Sequence, residues 1–144
     1  NVPEVNPDAI ERHWLCEAEM VTVCAPSYPL ASTPKPVPVD EFGRHTQIVV
    51  TDNQPGAEKT QQGVAGKRQW LVNDLGAKRE LLKAGLGWGH LPRNLVSEDL
   101  ASGQLVTLER RAWHLGPLTF MVSQRRGHDL SPCESRLVEL LGEP

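Results

Sequence analysis

Short apolar runs bounded by turn residues recur along the chain, and their length and β-branched content predict buried strands. Met20–Cys24 ends at Ala25-Pro26, and Gln47–Val50 ends at the polar triplet Thr51-Asp52-Asn53. Four more runs have the same character: Gln69–Val72, Leu86–Leu91, Leu105–Leu108 and Leu118–Val122. Two segments predict irregular chain instead, the proline-rich Pro26–Pro38 and the polar Gln54–Gly66.

Apolar residues at helical spacing predict two helices in the middle of the chain. The first runs from Leu75 to about Ala84, between an N-terminal cap at Asn73-Asp74 and a left-handed stop at Gly85. Its apolar face is expected in the core, and its charged residues are expected in solvent: Lys78, Arg79, Glu80 and Lys83. The second helix covers Arg93–Ala101, with Pro92 in its first turn.

A shorter helical turn and a terminal helix complete the predicted elements. The turn covers Val39–Phe42 and is expected to end at Gly43. The terminal helix starts at a capping box formed by Ser131 and Glu134. Its predicted buried stripe consists of Leu137, Val138, Leu140 and Leu141. Strands that alternate with helices in this order favour an α/β fold with a mainly parallel sheet and helices packed on it.

Composition narrows the function classes. The 144 residues suffice for one ordinary domain, and 39% apolar and 23% charged residues are typical of a globular protein. With a net charge of −3 and basic dipeptides scattered among acids, the chain itself is not expected to bind DNA. It contains no membrane span and no secretion signal, and its three cysteines follow no metal or redox spacing, so we expect a cytoplasmic protein. The start at Asn1 indicates a piece of a longer chain.

Polar residues follow three of the predicted strands at the point where each strand ends. In open α/β sheets, ligands bind beyond the carboxyl ends of the strands, where helix N-termini also converge. The candidate binding residues are therefore Thr51, Asp52, Asn73, Asp74, Leu75, Leu91 and Pro92. Each group also has an ordinary structural interpretation: turn residues after Val50, a helix cap at Asn73-Asp74, and a helix starter at Pro92.

Catalytic chemistry has no clear candidate in the sequence. The five histidines are dispersed, and none has a second histidine four residues on. No nucleophile elbow and no phosphate-binding loop is present, and Gly85–Gly89 follows a helix where a dinucleotide loop would precede one. We therefore expect no catalytic residue, no metal and no cofactor.

Several motifs in the same order resemble the effector-binding domain of LysR-type transcriptional regulators. The most specific are AGLGWGHLP at Ala84–Pro92 and LVSEDLASGQLVTL at Leu95–Leu108. MVTVCAPSYPLA at Met20–Ala31 is similar to the first crossing strand of the family and the turn after it. Leu118–Val122 with SPCESRLVELL at Ser131–Leu141 resembles the returning strand and final helix.

The resemblance implies a periplasmic-binding-protein-like (type 2) fold, consisting mainly of the second subdomain. Residues 1–24 would be a remnant of the first subdomain with a crossing strand, 25–117 the second subdomain, and 118–144 the returning strand and C-terminal helix. Family members bind a small effector and transmit its presence to a winged helix-turn-helix that is absent from this chain. The family's ligand contacts fall near Thr51, Asn73–Leu75 and Leu91-Pro92.

The resemblance also implies contact with DNA only through the absent domain and assembly into a homo-oligomer. We further expect an anionic or aromatic effector and, since no long apolar run is present, no membrane partner. Two alternatives remain open. A solute-binding protein for transport would share the fold but would need an export signal or a lipid anchor. A small α/β enzyme would need a cluster of acid, base or nucleophile.

Overall fold

The computed structural model describes residues 9–51, 66–109 and 115–142. Its strands are β1 (Ile10–Ala18), β2 (Met20–Cys24), β3 (Thr46–Val50), β4 (Arg68–Val72), β5 (Trp88–Pro92), β6 (Val106–Thr107) and β7 (Leu118–Arg125). Its helices are α1 (Val39–Arg44), α2 (Leu75–Lys83), α3 (Arg93–Ala101) and α4 (Pro132–Gly142), and a 3-10 helix covers Pro29–Ser32. The predicted mixed α/β fold class is confirmed.

The chain divides into two compact units. The central unit consists of Glu19–Gly116, and the terminal unit consists of Asn1–Ala18 with Pro117–Pro144. In this division Met20–Cys24 belongs to the sheet of the central unit. The expected assignment of 1–24, 25–117 and 118–144 to subdomains of the family fold stays a prediction.

The central unit contains a five-stranded sheet in the order β4-β3-β5-β2-β6. The strand β3 pairs in parallel with both β4 and β5, whereas β2 pairs antiparallel with β5 and β6. It follows that β6 runs in the same direction as β5, and that β2 alone is reversed. The prediction of a mainly parallel sheet is therefore correct with one exception. The reversed strand enters the sheet ahead of the βαβ crossovers, so no crossover helix sets its direction.

Two apolar clusters cover the two faces of this sheet. The larger one, against α2 and α3, consists of Val21, Val23, Ile48, Leu82, Leu91, Val96 and Leu105. The other, against α1 and the proline-rich segment, consists of Cys24, Leu30, Val37, Phe42, Trp88 and Leu108. Neighbouring residues of one strand fall in different clusters because side chains alternate between faces, as Val23 and Cys24 do.

Helix ends in the central unit follow local sequence, with one correction. Asp74 caps α2, and Gly85, with φ of +74°, allows the turn that follows the helix. The expected stop at Gly43 is wrong, because α1 continues to Arg44 and ends at His45. Gly43 has no positive φ, so it provides no left-handed cap. The loop predicted over Gln54–Gly66 lies, except for Gly66, outside the described residues.

The terminal unit contains an antiparallel pair of strands, β1 and β7, and the helix α4. The predicted capping box is present. The Glu134 carboxylate accepts a hydrogen bond from the Ser131 amide at 2.7 Å, and the Glu134 amide donates one to the Ser131 hydroxyl. The predicted burial of the apolar stripe is wrong. Leu137, Leu140 and Leu141 are 56%, 50% and 54% exposed, because α4 has only two strands beside it within the described part of its unit.

Candidate functional site

The carboxyl ends of β4, β3 and β5 lie side by side. Val50 pairs with Val72, and the Thr51 amide donates to the Val72 carbonyl at 2.8 Å. Gln47 pairs with Trp88 in the parallel ladder between β3 and β5, so both strands reach their ends at about the same level. We call the residues at these three ends, Thr51, Asn73–Leu75 and Leu91-Pro92, the carboxyl edge.

Thr51 places a hydroxyl group at this edge. The residue is half-buried, and its backbone amide is used by the ladder to β4. No residue in the described ranges forms a hydrogen bond with its hydroxyl. Asp52, predicted beside it, lies outside the described residues. Among the described residues, the hydroxyl of Thr51 therefore has no hydrogen-bond partner, and the role of Thr51 in binding stays a prediction.

The start of α2 is organised by Asp74 acting as a helix cap. Its carboxylate accepts from the amides of Gly76 at 3.1 Å and Ala77 at 2.6 Å, and its backbone carbonyl accepts from the Lys78 amide. The Ala77 and Gly76 amides hold the pKa of the Asp74 carboxyl below its ordinary value. Of the first-turn amides, this leaves the one of Leu75, so little of the helix end remains to hold an anion.

Leu91 and Pro92 form the base of the edge and do not project from it. Leu91 is fully buried in the larger cluster, and Pro92 is buried, pairs with Met20 and precedes the first residue of α3. The beginning of α3 is held by Arg93, whose Nε donates to Glu19 Oε2 at 2.7 Å and whose amide donates to the Glu19 carbonyl. Both predicted residues thus fix the positions of their neighbours.

Lys78 is a residue of this region that the sequence analysis placed in solvent. It is 6% exposed and lies under α2 against β5, where a Cβ on Gly89 would be 2.8 Å from Lys78 Cε. Burial lowers its pKa from 10.5 to about 8. The sequence did contain a signal, because Lys78 follows Leu75 by three residues and precedes Leu82 by four. That spacing places it on the apolar stripe of the helix.

A second buried polar pair lies on the other face of the sheet. Thr22 Oγ1 is 3.0 Å from His90 Nδ1, and the His90 ring stands edge-on to the Trp88 indole. This pair is next to α1 and the proline-rich segment, away from α2. Within the described residues no three His, Cys, Asp or Glu side chains converge as metal ligands, and no helix has the length and apolar character to cross a bilayer.

Comparison with known proteins places the chain in a family. The model of the LysR substrate binding domain matches residues 2–143. YeeY, an uncharacterized HTH-type transcriptional regulator of Escherichia coli K12, is 38% identical over 93 residues, which make up 64% of this chain and 30% of that protein. The chain therefore corresponds to less than two thirds of the length of this relative.

Solved structures agree on the fold. The effector-binding domain of QuiR in complex with shikimate has a TM-score of 0.64 at 17% identity, covering 96% of this chain and 66% of that one. The regulatory domain of CcmR from Synechocystis PCC6803, in complex with 2-PG, has a TM-score of 0.68 at 16% identity, covering 97% and 69%. At these identities, the two structures show that this chain has a similar fold.

The sheet, its carboxyl edge and these likenesses define an α/β domain with the periplasmic-binding-protein-like type 2 fold. The chain belongs to the LysR substrate binding domain family, which comprises the effector-binding domains of LysR-type transcriptional regulators. The resemblance identified from the motifs at Ala84–Pro92 and Leu95–Leu108 is thereby confirmed.

Proposed function

We propose that the central unit binds a small-molecule effector at its carboxyl edge, and that occupancy controls a DNA-binding domain elsewhere in the regulator. The observation that carries this proposal is the convergence of Thr51, Asn73 and the start of α2 at the ends of neighbouring strands. In such sheets, ligands collect at this edge because side chains and helix amides meet there. The shikimate complex of QuiR and the 2-PG complex of CcmR support a small-molecule role for domains of this fold.

Each edge residue has a part in the proposed site. The Thr51 hydroxyl and the exposed Asn73 amide hydrogen-bond the effector, and the Leu75 amide faces its negative charge. Asp74 sets the direction of α2, while Leu91 and Pro92 provide an apolar base. Asp52, next to Thr51 in sequence, belongs to the proposed set on sequence grounds alone.

The wider assignments follow from family membership. YeeY is an HTH-type regulator, which supports a DNA-binding domain outside this chain. The net charge of −3 supports a division of labour in which that domain, and not this one, contacts DNA. We also propose that the domain catalyses no reaction, that the regulator assembles as a homo-oligomer and that it acts in the cytoplasm.

A ligand screen with edge variants tests the site. Metabolites are titrated into the 144-residue chain, and Tm and isothermal calorimetry identify those that bind. Thr51→Ala and Asn73→Ala should each weaken binding by about tenfold, the effect of one lost hydrogen bond to a ligand. Ser102→Ala and Gln104→Ala remove the same kinds of group just beyond the C-terminus of α3, at the other end of the sheet, and should bind as the wild type does. Equal affinity in all four variants would remove the site from this edge.

A further inference from the structure

The two outer strands of the five-stranded sheet differ in length and in the side chains that they expose. Strand β6, on one side, has two residues, whereas β4, on the other side, has five. Trp70 and Leu71 in the middle of β4 are 48% and 52% exposed, and they point to opposite faces of the sheet. Arg68 is the one charged residue of β4. An outer strand of this length, with exposed apolar side chains and little charge, favours pairing with a further strand.

Hydrogen bonding to β3 shows which backbone groups of β4 face outward. The Thr51 amide donates to the Val72 carbonyl, so the backbone groups of Val72 face β3. These groups alternate in direction along a strand, so Trp70 also faces β3, whereas Gln69 and Leu71 face away from it. Among the described residues, β4 pairs only with β3, and the backbone groups of Gln69 and Leu71 have no hydrogen-bond partner. Both residues can therefore bond to another strand.

A second copy of β4 fits this outer side in an antiparallel register centred on Trp70. Trp70 is the middle residue of β4, so a twofold axis at this position pairs the strand over its full length. Gln69 then lies opposite Leu71 of the second copy, and each of the two symmetric pairs exchanges both of its hydrogen bonds. Trp70 lies opposite its own counterpart at a non-hydrogen-bonded position, where cross-strand side chains approach most closely. An aromatic pair at that position stabilises the ladder.

The charges at the two ends of β4 are complementary in this register. Arg68 begins the strand, and Asp74 comes two residues after Val72, so alternation directs Arg68 and Asp74 to the same face. Arg68 lies opposite Val72 of the second copy, and Asp74 of that copy takes the diagonal position, which a long side chain can reach. Arg68 and Asp74 are exposed, and within the described ranges neither forms an ion pair. The twofold axis would form this contact twice.

We propose that the chain forms a symmetric dimer through β4, so that the five-stranded sheets of two copies join into one continuous sheet. This inference rests on the homo-oligomer of the proposed function and deepens it by naming the surface that is used. The contact is small, because stable interfaces bury about 1,200–2,000 Å² in total. We therefore expect a weak dimer, with a dissociation constant in the micromolar range.

Sedimentation equilibrium of the 144-residue chain, over a range of concentrations, tests the surface. Wild type should be dimeric at high concentration and should dissociate on dilution. Trp70→Lys places like charges opposite each other at the centre of the ladder and should weaken dimerisation at least about tenfold. Trp14→Lys is the matched control, because Trp14 is an exposed tryptophan on a strand of the terminal unit. It should dimerise as wild type does.

The results separate this inference from the proposals on which it rests. A wild type that is monomeric at every concentration overturns both the β4 dimer and self-association of this chain. A dimer that Trp14→Lys dissociates and Trp70→Lys does not would overturn the role of β4 and leave the homo-oligomer standing. Effector binding is tested independently by Thr51→Ala and Asn73→Ala.

A proline substitution tests the hydrogen bonds of the ladder. Leu71→Pro removes an N–H that faces outward, so pairing between β3 and β4 is retained while pairing with a second copy is blocked. It should dissociate the dimer, whereas Leu71→Ala, which keeps the amide, should retain most of it. A dimer as stable in Leu71→Pro as in Leu71→Ala overturns the proposed pairing. Circular dichroism of each variant shows whether it is folded, and Trp70→Lys answers the same question if Leu71→Pro does not fold.

Disulfide formation tests the register. In a Cys133→Ser background, which removes the exposed native thiol, Trp70→Cys should cross-link two copies under mild oxidation at high concentration. Leu71→Cys should not, because the two copies of residue 71 lie at diagonal positions, too far apart for a disulfide. Cross-linking by Leu71→Cys and not by Trp70→Cys overturns the register centred on Trp70.

Discussion

Because Gly89 on β5 has no side chain, the aliphatic part of the Lys78 side chain can pass between α2 and the sheet. A Cβ built at Gly89 would lie 2.8 Å from Lys78 Cε and 3.4 Å from its Nζ. These separations are below or at the lower limit of ordinary contacts, so any larger residue at 89 must move the lysine. The conformation of Lys78 is thus set by a residue on a different element.

Gly89→Ala should destabilise the central unit by about 1–3 kcal/mol, because the new methyl group overpacks against Lys78 and the Ile48 carbonyl. Gly116→Ala is the matched control, since a Cβ there meets nothing within 4 Å and its φ is not positive. Urea unfolding of both variants measures the difference. In a Lys78→Ala background the effect of Gly89→Ala should shrink. A penalty that stays the same in that background would mean that Ile48 alone, and not Lys78, opposes the methyl group.

Lys78 should make stability depend on pH in the alkaline range. Its pKa is about 8 in the folded chain and 10.5 ordinarily, so between these values the unfolded chain binds more protons. The free energy of unfolding contributed by this group therefore rises with pH from about 8 to about 10.5, by at most about 3 kcal/mol. Below pH 8 the group destabilises the fold by its full amount.

The comparison with Lys78→Met isolates this effect. Burial raises the pKa of the Cys24 thiol from 9.0 to about 11, so Cys24 makes stability fall over an overlapping range. That contribution is the same in both proteins. Urea unfolding at several pH values should show Lys78→Met more stable than wild type at neutral pH, with the gap closing as the pH approaches 10.5. Parallel curves for the two proteins would show that Lys78 is not desolvated in solution.

Asp99 should contribute strongly to the contact between α2 and α3. It is 3% exposed and receives both hydrogen bonds of the Arg79 guanidinium. Asp99→Asn removes the negative charge and leaves Arg79 and Lys83 without their common counter-ion. We therefore expect the free energy of unfolding to fall by about 2–4 kcal/mol. Glu98→Gln, one residue earlier on the exposed face of α3, should change stability by less than about 0.5 kcal/mol.

The same ion pair predicts sensitivity to acid. Hydrogen bonds from Arg79 hold the pKa of the Asp99 carboxyl below its ordinary value of 3.8. The stabilisation is therefore complete above pH 3.8 and is lost as the pH falls toward the lowered pKa of the folded chain. Thermal unfolding of wild type and Asp99→Asn should converge at strongly acidic pH. If the difference between them stays constant down to that range, the carboxylate charge is not the source of the stabilisation.

Local features of the central unit could be predicted from sequence, because they depend on residues a few positions apart. The cap at Asp74, the stop at Gly85 and the bounds of α2 are of this kind. The insertion of β2 between β5 and β6 could not be predicted in this way, because it depends on pairing between residues 68 positions apart, such as Thr22 and His90. Strand β1 was not predicted because charged residues interrupt its apolar pattern.

The candidate site shows where residue type misleads. The common location of Thr51 and Asn73 could be predicted because strand order brings the ends of parallel strands to one edge whatever their exact register. Lys78 was assigned to solvent because it is a lysine, although its spacing from Leu75 and Leu82 placed it on the buried stripe. Periodicity predicts which face of the helix a side chain occupies, whereas residue type determines the free-energy cost of burying it there. At Lys78 the two disagree.

A buried leucine of α2 and an exposed leucine of α4 allow a direct comparison of two Leu→Ala substitutions. Leu82 is fully buried in the larger cluster, and Leu82→Ala should cost about 2–5 kcal/mol because it leaves a cavity. Leu140 is 50% exposed, so Leu140→Ala should cost less than about 1 kcal/mol in this chain. Hydrogen exchange of backbone amides, read separately in α2 and α4, measures each effect in its own unit. A large loss from Leu140→Ala would show that the α4 stripe is covered in solution, and dilution of the sample would then show whether a second copy of the chain covers it.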